Sequence, residues 1–304
     1  MSTPKIQLAK DTIDESDFQA LTAWLGTHPR LTKGEQTILF EDKWAKSVGM
    51  RHAVFVNSGS SANLLMVYAL IAAKAFKNKK VVVPTLSWIT TISPVIQFGL
   101  EPILCDCNMD DLSVDLRHLE QLFYKEKPAC LILVSVLGLV PRMDFVVDLC
   151  KKHGVILLID NCEGQGSKFR NKSLDSYGLM TSCSTYFGHI MSTIEGGMIT
   201  TNDTQLYNLL KMLRSHGWNR DINTDDAQQL REKWGTSQFN SLYTFYHPGF
   251  NLRATDLQAV IGIGQLDKLE TFVNARNRNF LLFQRRLSNS LWKPKEFPGK
   301  FVSN

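Results

Sequence analysis

The chain has 304 residues, 44% of them apolar and 21% charged, with a net charge of +5. That length can bury one large core, or one large domain and part of a second, and the composition is that of an ordinary globular enzyme. No window reaches the roughly 18 apolar residues of a membrane-spanning helix, which argues against a membrane role, and no clustered basic patch of the kind nucleic acid requires is visible. The net charge is compatible with an anionic small-molecule substrate. The first ten residues lack the apolar run of a signal peptide. The six cysteines fall mostly in apolar strand or helix patterns, so a disulfide framework is not expected and a reducing cytoplasm is.

In chain order, residues 14–25 alternate at helical spacing, with Asp14 or Ser16 as a cap. A turn at 32–34 precedes a second amphipathic helix at 37–48. The short apolar strand 53–56 runs into Asn57-Ser-Gly-Ser-Ser61 and a helix from about 62 to 77. Strands at 81–83, 101–105, 130–136 and 155–159 then alternate with helices at 88–98 (bent near Pro94), 115–125 and 143–152. Apolar strands without period-2 polarity, alternating with helices, imply a mainly parallel sheet covered on both faces. Ligands collect at the carboxyl ends of such strands, where Asn57, Asp160 and the loop holding His189 are expected. A strand at 197–201 and a helix at 206–214 follow. Residues 217–245 read as a long polar loop with a helix at 225–233, and 255–287 as one long helix capped by Thr255 or Asp256.

Some stretches carry chemistry. Asn57-Ser-Gly-Ser-Ser61 joins a strand to a helix, so Gly59 relieves the turn and the first helical N–H groups can cradle a phosphate. Such a turn also occurs without a ligand. Asp160 ends a run of apolar residues; it could pair with a buried cation or merely cap the next turn. Trp88 could stack on a ring or sit in the core. Ser184, His216, Arg220 and Arg253 could each be unremarkable loop residues. Ser182-Cys-Ser-Thr-Tyr-Phe-Gly-His189 leads into Glu195-Gly-Gly197, and His189 stands seven residues before Gly196.

Taken in order, these segments resemble the StrS/DegT sugar aminotransferases, a branch of the fold-type I (aspartate aminotransferase-like) pyridoxal-phosphate enzymes. The likeness runs from about Lys5 to the end and includes Phe40-Glu41, Gly49-x-x-His52, Arg214-x-His-Gly217 and Gly249-Phe-Asn-Leu-Arg253. It implies an α/β fold: a large domain over 1–250 with a mostly parallel central sheet, then over 251–304 a linking helix and the start of a smaller α+β domain that is incomplete here. It also implies that Gly59, Ser60, Ser61 and Ser184 hold the cofactor phosphate, that Trp88 stacks on its ring, that Asp160 meets the pyridine nitrogen, and that Glu163 lies near the 3-hydroxyl. Asn251 would reach the phosphate of a neighbouring subunit, making a homodimer with shared sites. His216, Arg220 and Arg253 would meet the nucleotide sugar.

In the family a Schiff-base lysine stands where this chain has His189. Imidazole cannot make that bond but can move a proton near neutral pH. A branch of the family with histidine here removes the C3 hydroxyl of 4-keto-6-deoxy nucleotide sugars, holding pyridoxal or pyridoxamine phosphate non-covalently. The resemblance therefore implies a sugar 3-dehydratase with His189 as base, regenerated by an amino donor such as glutamate, in deoxysugar or surface-glycan synthesis. One subgroup binds an iron–sulfur cluster through cysteines downstream of the histidine; the last cysteine here is Cys183, so neither a cluster nor another metal is expected. Two other readings stay open: a sugar aminotransferase using another lysine, of which Lys168 and Lys172 are nearest, and a non-catalytic nucleotide-sugar-binding homologue.

Overall fold

The computed structural model describes residues 9–287. Helix α1 (Glu15–Leu25) starts at Asp14, whose carboxylate accepts the Ser16 amide while Asp17 reaches back to the Asp14 amide. This is the reciprocal cap that satisfies N–H groups left over at a helix start. Helix α2 (Glu35–Val48) follows, ending in Gly49 at φ 72°, a left-handed conformation that glycine adopts without steric cost. Strand β1 (His52–Val56) leads into α3 (Gly59–Ala72). Then come β2 (Lys80–Pro84), α4 (Ile89–Gln97), β3 (Glu101–Cys105), α5 (Leu116–Glu126), β4 (Cys130–Val134), α6 (Met143–His153) and β5 (Ile156–Asp160). A small hairpin, β6 (Lys168–Phe169) and β7 (Lys172–Ser173), precedes β8 (Met180–Ser184), β9 (Gly197–Thr201), α7 (Thr204–Arg214), α8 (Thr224–Lys233) and α9 (Asp256–Leu287).

The 7-stranded sheet has the order β1-β9-β8-β5-β4-β2-β3. Only β9 is antiparallel to its neighbours, pairing Gly197 with Val56 on one side and with Ser184 on the other. The expected mostly parallel sheet is therefore present. Helices α3, α4 and α7 cover one face around Leu65, Leu70, Ile132 and Leu213; α5 and α6 cover the other around Phe123, Leu131, Val146 and Ile159. Each such side chain stabilises the fold by about 1.5–3 kcal/mol relative to exposure. A third cluster, of Phe40, Trp44, Phe55, Met198 and Ala259, joins α2 and α9 to the β1 edge.

Some boundaries differ from the sequence reading. Helix α3 begins at Gly59 rather than 62, because Ser58 caps it through its Oγ on the Ser61 amide; it ends at Ala72 rather than 77. Strand β4 ends at Val134, and residues 136–138 form a tight turn with Leu137 at φ 53°. Strand β8 was not expected, since its sequence is polar. Its hydroxyls find partners inside the protein: Ser182 Oγ donates to Asn63 Oδ1 at 2.5 Å. Asp256 does not cap its own helix. Its carboxylate accepts the amides of Gly34 (2.7 Å) and Thr37 (2.9 Å) and the Thr37 hydroxyl (2.6 Å), so it caps α2 from 222 residues away. Thr255 caps α9 instead, exchanging bonds with Gln258. Helix α9 packs along α1 and α2. Residues 288–304, where the smaller domain was expected to begin, lie outside the described residues, as does the start of the resemblance at Lys5.

Candidate active site

The carboxyl ends of the parallel strands gather the residues that the motifs single out. At the end of β1 the chain turns through Asn57 and Ser58 into α3. Helix geometry gives the Gly59 and Ser60 amides no internal acceptor, and Ser58 takes the next one. These two N–H groups lie at the positive end of the helix dipole, a preformed anion site. Gly59 is fixed by close neighbours: a Cβ there would lie 2.6 Å from Ser184 Cβ and 2.9 Å from Cys162 Sγ. Gly197 opens β9 directly against this turn, where a Cβ would lie 2.2 Å from the Ser58 carbonyl oxygen and 2.6 Å from the Gly59 nitrogen. The glycine pair of Glu195-Gly-Gly197 thus lets the turn, β8 and β9 meet.

Asp160, at the end of β5, is only 3% exposed. Its Oδ2 accepts from Asn63 Nδ2 at 2.6 Å and from Thr91 Oγ1 at 2.7 Å, and its Oδ1 from the Cys162 amide at 3.2 Å. Ser182 in turn donates to Asn63. Burying a carboxylate is costly unless donors surround it, and here α3, α4 and the Cys162 amide just after β5 supply them. The sequence reading missed Asn63, Thr91 and Ser182; the available signal was an asparagine alone in the apolar run of α3. Glu163 accepts the Leu137 amide at 2.7 Å, which ties its loop to the turn after β4. Trp88, the residue before α4, is 69% exposed, so it is not a core tryptophan and its ring is open to a ligand.

His189 lies in residues 185–196, a compact loop between β8 and β9. Thr185 and Thr193 bond to each other through backbone and side chain, and the Thr185 amide donates to the Gly196 carbonyl. The loop is held from outside by α9: Gln258 Nε2 donates to the Glu195 carbonyl (2.6 Å), Gln265 Oε1 accepts the Ser192 amide (3.3 Å), and Arg276 Nη2 donates to the His189 carbonyl (2.9 Å). Burial lowers the His189 pKa below its ordinary 6.5; the carboxylates of Glu163 and Asp160 act in the opposite direction and Arg276 reinforces the decrease. The imidazole is therefore held toward its neutral, proton-accepting form, next to the two carboxylates.

A second group forms where α7 ends. Arg214 is fully buried and pairs with Glu41 of α2 at 2.5 Å and with the Phe55 carbonyl at 2.7 Å. Glu41 also accepts the Phe55 amide. His216 and Gly217 follow with positive φ, 62° and 86°, and lie against residues 247–249, where a Cβ on Gly217 would overlap the His247 carbonyl. Arg253 donates to Asn251 Oδ1 (3.0 Å) and comes within 3.4 Å of His216 Nε2. Arg220 stacks on Trp218 and Tyr243 and donates to the Leu242 carbonyl. The structure thus brings Gly59, Ser60, Ser61, Asp160, Glu163, Ser184 and His189 to one end of the sheet, and gathers His216, Asn251 and Arg253 beside them, next to the Leu252–Asn57 backbone bond. Within one chain Asn251 bonds to Arg253 rather than to the serines of the cradle. Lys168 and Lys172 are exposed on the β6–β7 hairpin, away from Asp160's polar network.

The donor set fits pyridoxal or pyridoxamine phosphate. A cradle that a Cβ would fill offers helix N-terminal amides to a phosphate, and a buried, hydrogen-bonded carboxylate stands ready for a protonated ring nitrogen. No cluster of His, Cys, Asp and Glu able to hold a metal is present among the described residues. No described helix is long and apolar enough to cross a membrane.

Comparison with known proteins agrees. The chain is 35% identical over 275 residues to the GDP-4-keto-6-deoxy-D-mannose 3-dehydratase of Escherichia coli O55:H7, covering 90% of this chain and 70% of that protein. It is 34% identical over 285 residues to the enzyme of the same name from Yersinia pseudotuberculosis, covering 93% and 72%. The solved structure of the E. coli GDP-4-keto-6-deoxy-D-mannose-3-dehydratase with bound hydrated PLP superposes with a TM-score of 0.89 at 31% identity, covering 98% of this chain and 76% of that one. The profile of the DegT/DnrJ/EryC1/StrS aminotransferase family matches residues 11–296, and the chain belongs to that family.

Proposed function

We propose that this protein is a 3-dehydratase of a GDP-linked 4-keto-6-deoxy sugar, with pyridoxamine phosphate held non-covalently and His189 as its base. The observation that carries the reading is a half-buried histidine, its pKa lowered by desolvation, in the lysine position of an otherwise intact site. Bound as the amine, the cofactor would supply the electron-withdrawing ring that lets the C3 hydroxyl leave. Gly59, Ser60, Ser61 and Ser184 anchor its phosphate. Asp160 meets its ring nitrogen, and the donors from Asn63 and Thr91 orient the carboxylate. Trp88 covers one ring face. His189 takes and returns the proton at the cofactor's C4′, and Glu163 stands beside it. His216, Arg220 and Arg253 bind the phosphates and sugar, and Asn251 completes the site of a partner subunit in a homodimer. Glutamate serves as amino donor. Residues 1–250 form the cofactor-binding domain and 251–304 the link into a smaller one, in a cytoplasmic enzyme of deoxysugar synthesis.

The test is product mass from GDP-4-keto-6-deoxymannose with pyridoxamine phosphate and glutamate, alongside the dTDP-linked analogue. Wild type should release a 3-deoxy sugar, and His189→Asn should lose about 100–10,000-fold in rate, as removal of a general base does. Borohydride should leave no cofactor mass on the chain. A 4-amino product retaining the C3 hydroxyl, or a pyridoxyl-lysine adduct, would overturn the proposal in favour of an aminotransferase.

A further inference from the structure

Helix α9 is more than a link to whatever follows it. Three side chains along one helix, Gln258, Gln265 and Arg276, bond to backbone groups of a single loop, at Glu195, Ser192 and His189. The helix is itself anchored. Gln265 Nε2 donates to the Thr12 carbonyl (2.8 Å) and to Asp17 (2.7 Å), and Lys268 pairs with Asp14 (2.6 Å) and Asp17 (2.8 Å) of α1. Val273 closes on the loop after β5, where a Cβ on Gly166 would lie 2.8 Å from it. A loop histidine has no secondary structure to fix it, so a rail fixed at both α1 and α2 can set its position.

We infer that Arg276 is a positioning residue for His189, the last of three anchors by which α9 fixes the base-bearing loop against the end of the sheet. Resting on the proposed role of His189, it implies that movement of α9 would change the geometry of proton transfer. The charged groups acting on the imidazole are Glu163 and Asp160 from the end of β5, and Arg276 from α9. The guanidinium opposes protonation, so Arg276 both places the base and helps keep it neutral.

The experiment uses the full chain without cofactor or sugar, reading amide exchange and the His189 imidazole titration by NMR. Arg276→Met keeps the packing of the stem but removes the charge and the bond. Exchange across residues 185–196 should rise about 10–100-fold, the cost of a hydrogen bond from a charged group, while strands β4 and β5 keep their protection. The His189 midpoint should move to higher pH. Arg276→Lys should hold the midpoint near wild type with intermediate exchange, and it serves for the comparison if the methionine variant does not fold. Unchanged loop exchange and midpoint would overturn the inference, as would exchange raised equally in the sheet, which would mark a merely structural residue. Because no reaction is measured, failure of dehydration and failure of this inference are told apart.

Discussion

Replacing Gly197 with alanine tests the cradle directly. The new Cβ would stand 2.2 Å from the Ser58 carbonyl oxygen, 2.4 Å from its carbon and 2.6 Å from the Gly59 nitrogen. A relaxed carbon–oxygen contact is about 3.3 Å or more, so either β9 or the Ser58–Gly59 peptide must move by about 1 Å. All three atoms struck are backbone, with no flexible side chain to turn aside. Overpacking of this kind costs about 1–3 kcal/mol, which in a domain of this size lowers the melting temperature by roughly 2–12 °C. The displaced peptide carries the Gly59 amide. Loss of one hydrogen bond to a charged phosphate should weaken pyridoxal phosphate binding by about 10–100-fold. Thermal unfolding measures the first effect and fluorescence titration of the cofactor the second. Gly26→Ala is the control, since Gly26 has φ −61° and its nearest neighbour would be 3.3 Å from the new Cβ. A Gly197→Ala protein that melts within about one degree of wild type and binds cofactor with the same Kd would refute the argument.

Arg214→Met should cost about 3–5 kcal/mol in urea unfolding, because it leaves Glu41 buried without its cation; Arg214→Met with Glu41→Gln should recover part of that, and a double variant no better than the single would contradict the ion-pair account. Asn251→Ala should weaken cofactor binding while leaving the melting temperature unchanged, and light scattering should find dimers; a wild-type monomer that binds cofactor fully would end the shared-site proposal. His189, with its pKa lowered by burial, binds its proton less readily in the folded than in the unfolded chain. Its contribution to stability is therefore complete above the unfolded value of about 6.5 and is lost as pH falls from there through the folded value. The acid limb of the rate profile should likewise lie below 6.5 and disappear in His189→Asn; a limb unchanged in that variant would assign it to another group.

Much of this protein can be read along the chain because the causes are local. Asp14 and Asp115 cap the helices that follow them; apolar runs bounded by turns become β2, β3, β4 and β5; and the places of Asn57, just past β1, and of Asp160, at the end of β5, follow from the alternation of strand and helix. The family resemblance adds the meaning of His189, which no periodicity could supply. Other features depend on partners far away in sequence. Polar β8 is a buried strand because Asn63, 119 residues away, receives the Ser182 hydroxyl. Asp256 caps α2 rather than α9 because folding brings Gly34 and Thr37 to it. Arg214, which a sequence reading would leave in water, is buried because Glu41 and the Phe55 carbonyl meet it there. Burying a charge or a hydroxyl is favourable only when its partner is already in place, and hydrophobic periodicity records which face turns inward but not which polar group waits on the other side.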